Sequence, residues 1–228
     1  MKERMKRTRL ADRHMPSYTK GEEIFNMVSH IVGGALGITA IVLCSVFAGI
    51  EGNVYGVVSG AIFGVTMLLL YTASSIYHGL KPNTMAKRVF QVIDHCMIFI
   101  LIAGTYTPIA LCTMRERNVA EGWVLFGIIW ALAIIGIILN SIDLKKYKKL
   151  SMICYLVMGW CIIVRIGALI EEVGMTAFWL LLSGGIAYTI GAVFYGAIKK
   201  RWMHSVFHLF CIIGSLLHFL FILFYIIL

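Results

Sequence analysis

Seven apolar runs, each long enough to cross a lipid bilayer, dominate this chain and leave little between them. They cover residues 24–48, 54–77, 89–112, 123–142, 150–170, 175–198 and 206–228. About 20 residues of helix span the hydrocarbon core. In lipid every backbone polar group must be satisfied inside the protein, so only helices or a closed barrel can cross. Runs this long without strict alternation exclude the barrel. The expected fold is an all-α membrane protein, a seven-transmembrane-helix bundle over residues 22–228 behind a basic tail over residues 1–21. The first run is too long for a signal peptide and has no small-residue cleavage site, so it reads as a retained anchor.

Apolar residues make up 60% of the chain and charged residues only 14%, against about a quarter charged in a soluble domain. The bases cluster between the apolar runs instead of forming a stripe. That pattern excludes a nucleic-acid partner and points to the anionic headgroups of membrane lipids. Seventeen Lys and Arg residues fall in the tail and in the connections after runs 2, 4 and 6, against Arg115 and Arg117 alone in the opposite connections. The positive-inside rule then predicts a cytoplasmic N-terminus and an external C-terminus. All six cysteines lie within apolar runs and read as reduced, small hydrophobes, not as a disulfide framework. Trp123, Trp179 and Trp202 fall near the ends of runs, as an interfacial belt requires, and Pro108 with Gly104 predicts a kink in the outer half of span 3.

Ionisable residues inside spans are costly and point to function by default. Asp94 is the only acid well inside an apolar run, and Glu22 and Glu23 stand at the mouth of span 1 beside Asn26 and His30. With the predicted topology, span 2 delivers His78 to the cytoplasmic face, where spans 3 and 7 begin with Asp94, His204 and His208. Residues scattered over the sequence thus reach one shallow layer. His208 lies seven residues after Arg201, about 10 Å along a helix.

His204 and His208 are spaced i, i+4 and share a helix face, as do Ser74 and His78. Three neutral imidazoles suit Zn2+ and leave a fourth position for water. Asp94 then either accepts a proton from that water or holds it in place. Blander roles exist for each residue: interfacial histidines, a structural carboxylate, a serine bonded back to the carbonyl of residue i−4. His95 and Cys96 point away from Asp94 around an ideal helix and read as packing residues. Arg165 is expected to snorkel to the outer headgroups, and His218, about 15 Å deeper than His208, to make a core hydrogen bond.

The segments "EEIFNMVSH", "SSIYH", "FQVIDHCMIFILIAGTYTP" and "HSVFHLFCIIGSLLH" together resemble the hemolysin III proteins. These form the bacterial branch of the progestin and adipoQ receptor family, in a superfamily that includes alkaline ceramidases. The resemblance implies a bacterial plasma-membrane protein with zinc near the cytoplasmic side. His78, His204 and His208 match its three ligands, Asp94 the carboxylate that contacts the metal, and Ser74 the hydroxyl beside it. Either Glu22 or Glu23 matches its acidic position before span 1. Lipid amide hydrolysis is the activity associated with relatives, and cytolysis the label of the bacterial members.

Two functions from different classes fit. One is a zinc-dependent hydrolase of a membrane lipid with a long acyl chain, the amide bond coming only from the resemblance. The other is a non-catalytic protein whose metal site is structural, acting on lipid homeostasis or causing cytolysis. A retinal protein is disfavoured because span 7 has no lysine. An ion carrier is disfavoured because the polar residues form one layer with no relay across the bilayer.

Overall fold

The computed structural model describes residues 8–13, 15–198 and 200–228. Four bases of the tail (Lys2, Arg4, Lys6 and Arg7), His14 and Lys199 lie outside the described residues. Among the described residues all regular structure is helical. In order come α1 (Lys20–Ile50), α2 (Val54–Gly79), α3 (Met85–Pro108), the one-turn α4 (Arg115–Arg117), α5 (Val119–Trp160), α6 (Ile166–Ala197) and α7 (Met203–Ile222). The starts are set by side-chain caps that satisfy orphan N–H groups: Thr19, Asn53, Thr84 and Asn118 accept from the backbone of Glu22, Gly56, Lys87 and Glu121.

Among the described residues, five continuous helical stretches are long and apolar enough to cross a membrane. This is a multi-pass membrane bundle. One stretch, Val119–Gly196, has 78 residues. Straight, it would reach about 117 Å, roughly four times the hydrocarbon thickness. Instead it reverses twice.

The first reversal is at Asp143 (φ −156°, ψ 94°). Its carboxylate accepts from the N–H groups of Lys145 and Lys146 at 3.1 Å and of Thr8 at 2.8 Å. One extended residue with a built-in cap turns the chain, and the connection expected at 143–149 is therefore largely helical. Asn140 meets Ser151 and Tyr155 across this turn, and Glu121 meets Arg165 further along. Arg165 is thus paired with a carboxylate, where snorkelling alone had been expected. The second reversal is at Gly174 (φ 81°, ψ 168°), a backbone conformation that glycine adopts without steric cost. Trp160 then donates to Thr189 at 3.0 Å from the opposite limb. Between the reversals, a 3-10 stretch at Cys161–Arg165 interrupts the expected fifth span, and the Tyr106 hydroxyl accepts the N–H of Ile162 there at 3.1 Å.

Pro108 is the last residue of α3, but the helical path continues through it to Arg117. It has no N–H for the carbonyl one turn back, and the chain widens into a π-helical stretch at Ile109–Met114. Residues 103–114 are all buried, so this is the central segment of the bundle. Helices α1 and α2 pack through small residues. A Cβ at Gly64 would lie 2.5 Å from the Ile41 nitrogen, one at Gly60 2.6 Å from the Cys44 Cβ, and one at Gly37 2.7 Å from the Leu68 nitrogen. Small residues four apart allow this backbone approach in a membrane, where van der Waals contact must replace the hydrophobic drive. The opposite face of α1 exposes Val28, Ile31, Val32, Ile38, Val42 and Val46, an apolar surface suited to lipid. All six cysteines are free thiols.

Candidate metal centre

The end of α2, the start of α7 and the start of α1 meet at one end of the bundle. His78 occupies the last turn of α2, while His204 and His208 occupy the first two turns of α7. Their ring nitrogens cluster within 4.8 Å of one another. His78 Nε2 lies 3.3 Å from His204 Nε2, which lies 3.0 Å from His208 Nε2. Ligands at tetrahedral angles and 2.0–2.1 Å from zinc sit about 3.3–3.4 Å apart, so the two pairs that share His204 are close to the spacing one such ion requires, and the third pair lies within 4.8 Å. His78 and His208 are buried, and His204 is half-buried.

The donor chemistry fits as well. His78 Nδ1 is 2.6 Å from Glu23 Oε2. An ionised carboxylate only accepts, so the ring proton is on Nδ1 and the Nε2 lone pair faces the other two rings. Ser74, one turn before His78, is buried with its hydroxyl unpartnered, and His204 Nδ1 and the Ser205 hydroxyl are likewise buried and unpartnered. Orphaned polar atoms are rare in a native interior and mark a place where a ligand or ordered water belongs.

Asp94 lies outside the clustered triad. It lines, with His95 and His204, one end of a largely apolar cavity of about 420 Å³ between α3, α5, α6 and α7. The cavity extends to His218, fourteen residues and about 21 Å along α7 from His204. Asp94 Oδ2 is 3.7 Å from His95 Nδ1, and His95 also meets the Gln91 carbonyl at 2.8 Å and the Tyr195 hydroxyl at 3.1 Å. His95 is therefore a wall of the cavity, where packing had been expected. Cys96 does pack, against Ser141 and the Ile137 carbonyl. His218 makes a core contact with the Leu181 carbonyl at 3.1 Å.

Asn26 and His30 lie behind the triad. The His30 ring stacks on His208 with centroids 3.7 Å apart and meets Tyr71 edge-on at 4.8 Å. The two adjacent glutamates divide. Glu22 closes a capping box with Thr19 and accepts the Trp202 N–H at 2.7 Å. Glu23 holds His78 and, at 2.8 Å, the ammonium of Lys87.

Three participants escaped the sequence reading. Lys87 was counted among connection bases, yet it is buried. Tyr195 is a cavity wall beside His95. Tyr18, in the tail, stacks over His204 with centroids 4.9 Å apart; burial and the nearby Glu23 and Asp94 push its phenol well above the usual range. The signal available for Tyr18 was the T-x-x-E capping box at Thr19 to Glu22, which fixes the helix start and so the entry of the residue before it.

A family model described as "Haemolysin-III related" matches residues 18–219. "Hemolysin-3" of Bacillus cereus is 40% identical over 205 residues, which is 90% of this chain and 92% of that protein. "Hemolysin-3 homolog" of Bacillus subtilis (strain 168) is 38% identical over 91% of this chain and 96% of its own. "Monocyte to macrophage differentiation factor" of Homo sapiens is 26% identical over 69% of this chain and 66% of its own. The chain belongs to the haemolysin-III related family.

Proposed function

For this member of the haemolysin-III related family we propose an intramembrane zinc-dependent hydrolase of a long-chain membrane lipid. The observation that carries the reading is the junction of three converging Nε2 atoms with an apolar cavity, since His204 belongs to both. A cavity of about 420 Å³ falls within the range of small-molecule pockets, and its apolar wall suits an acyl chain.

Bound at His78, His204 and His208, zinc supplies Lewis acidity that acidifies water and polarises a carbonyl. Asp94, at the same end of the cavity, takes the proton of the attacking water and returns it to the leaving group. The Ser74 hydroxyl, free of other partners, donates to the developing oxyanion. The amide as the bond cleaved is drawn only from the analogy with alkaline ceramidases. Hydrolysis then consumes one water and releases a fatty acid and an amine.

The chain crosses the membrane seven times in this reading, because the reversals at Asp143 and Gly174 divide the longest stretch into three limbs. The basic connections at the metal-site end put that end, and the N-terminus, on the cytoplasmic side of a bacterial plasma membrane against anionic headgroups.

The test is metal analysis and lipid turnover on purified wild type beside His204→Ala. Wild type is expected to carry about one zinc per chain and to release fatty acid, with both lost in the variant. A folded variant with full zinc and unchanged turnover overturns the reading. A second reading, a structural metal site without catalysis, draws on the way the triad ties α2 to α7 across more than 120 residues of sequence. It predicts that metal removal lowers the melting temperature while the loaded protein cleaves no lipid.

A further inference from the structure

The acid at position 23 holds two partners at once. His78 Nδ1–H donates to Oε2 at 2.6 Å, and Lys87 Nζ donates to Oε1 at 2.8 Å. Lys87 is 2% exposed, and its other two donors reach the carbonyls of Tyr77 at 2.9 Å and Leu80 at 3.1 Å. All three ammonium protons are satisfied, two of them by carbonyls at the C-terminal end of the helix that carries His78. The carboxylate is thus fixed from α3 by a lysine that also fastens the last turn of α2.

A neutral imidazole can present either nitrogen to a cation, and the choice is set by what its other nitrogen meets. At His78 the other nitrogen meets an ionised carboxylate that only accepts, so Nδ1 holds the proton and Nε2 is left to face His204 and His208. Such a carboxylate also raises the basicity of the ligand and fixes its ring plane. Among the described contacts, neither of the other two rings has a carboxylate partner. His204 Nδ1 is buried without one, and His208 is braced by the stacked ring of His30.

We infer that Glu23 is the positioning residue of the metal centre, acting through His78, and that Lys87 keeps Glu23 in place. The inference rests on the triad binding a metal ion, though not on hydrolysis. It also separates the paired glutamates: Glu22 serves the backbone at the helix starts, and Glu23 serves the ligand.

The experiment is a zinc competition titration in detergent, with thermal melts of the metal-free forms, on wild type, Glu23→Gln, Glu23→Asp and Lys87→Met. Loss of the orienting carboxylate is expected to weaken zinc binding roughly 10- to 100-fold in Glu23→Gln. Glu23→Asp, which keeps the charge but loses reach, is expected to fall between that variant and wild type, and it stands in should Glu23→Gln not fold. Lys87→Met is expected to lower the metal-free melting temperature while moving zinc affinity less than Glu23→Gln does. If Glu23 merely pairs with Lys87 to tie helices together, Glu23→Gln and Lys87→Met will lower melting temperature alike and leave affinity unchanged; that result overturns the inference alone. Absence of zinc binding by wild type overturns the metal reading and the inference with it.

Discussion

The side chain of Glu22 accepts the backbone N–H of Trp202 at 2.7 Å, linking residues 180 apart in sequence. Trp202 precedes α7 in a left-handed conformation (φ 65°) that a bulky residue adopts only when its surroundings impose it. Glu22 is itself held by the Thr19 backbone at 2.8 Å and the Thr19 hydroxyl at 2.7 Å. The first turn of α1 thereby fixes the turn that launches His204.

Glu22→Ala removes this acceptor and half of the capping box. The Trp202 N–H is left unpaired and α1 loses a reciprocal cap, together costing about 1–3 kcal/mol. A thermal melt in detergent is expected to show the loss in the metal-free protein as well as the loaded one. An unchanged melt would mean that water or another side chain replaces the carboxylate.

Metal removal is expected to destabilise the fold. The triad draws on α2 and α7, so an ion bound only to the folded state stabilises it by about 2.7 kcal/mol at a hundredfold excess over Kd. That corresponds to a melting-temperature rise of roughly 5–10 °C for a chain of this size. Chelation should remove the increment and zinc should restore it. In His208→Ala the melting temperature is expected to be indifferent to zinc.

Gly64→Val tests the α1–α2 seam. The added Cβ would meet the backbone of Ile41 at 2.5 Å, and backbone cannot swing aside as a flexible side chain can. Overpacking of this kind costs about 1–3 kcal/mol. Because Glu23 and His30 reach the triad from α1, pushing the helices apart should weaken zinc binding too. Gly127→Ala is the comparison: nothing lies within 4 Å of the new Cβ, and gaining a better helix former adds about 0.5–1 kcal/mol. Equal melting temperatures for the two variants would contradict the seam.

How much of this site the sequence discloses depends on whether the information is local. The i, i+4 pair His204 and His208 and the arrival of His78 at the same end follow from helical repeat and span direction, and both were readable. Asp94 stood out as the lone acid within an apolar run, and the structure places it in the cavity wall, outside the clustered triad. The division between Glu22 and Glu23 was not, because neighbours about 100° apart on a helix differ only in what other helices bring to them. Lys87 illustrates the same limit: as a base between apolar runs it counts toward orientation, and only the packing of α3 against the end of α2 buries it. The reversal at Asp143 was half legible. Its position follows from the charge run that comes after it, but a single aspartate capping the next limb makes a long connection unnecessary.

The acyl-chain reading makes the far end of the cavity a ruler, and Leu182→Trp is the way to shorten it. Leu182 lines the cavity on α6 next to Leu181, whose carbonyl meets His218 at 3.1 Å, so an indole there takes up space far from His204 while leaving the triad untouched. Zinc content and melting temperature are expected to stay near wild type. Release of long-chain fatty acid should fall at least about tenfold, since each methylene denied a fitting pocket costs about 1–3 kcal/mol, while substrates with chains shortened by several carbons should keep most of their turnover. Measuring release across a series of chain lengths checks this directly. A uniform loss at every length would place the effect at the reacting end, and no loss at any length would mean that the chain lies elsewhere, along the lipid-facing surface of the bundle.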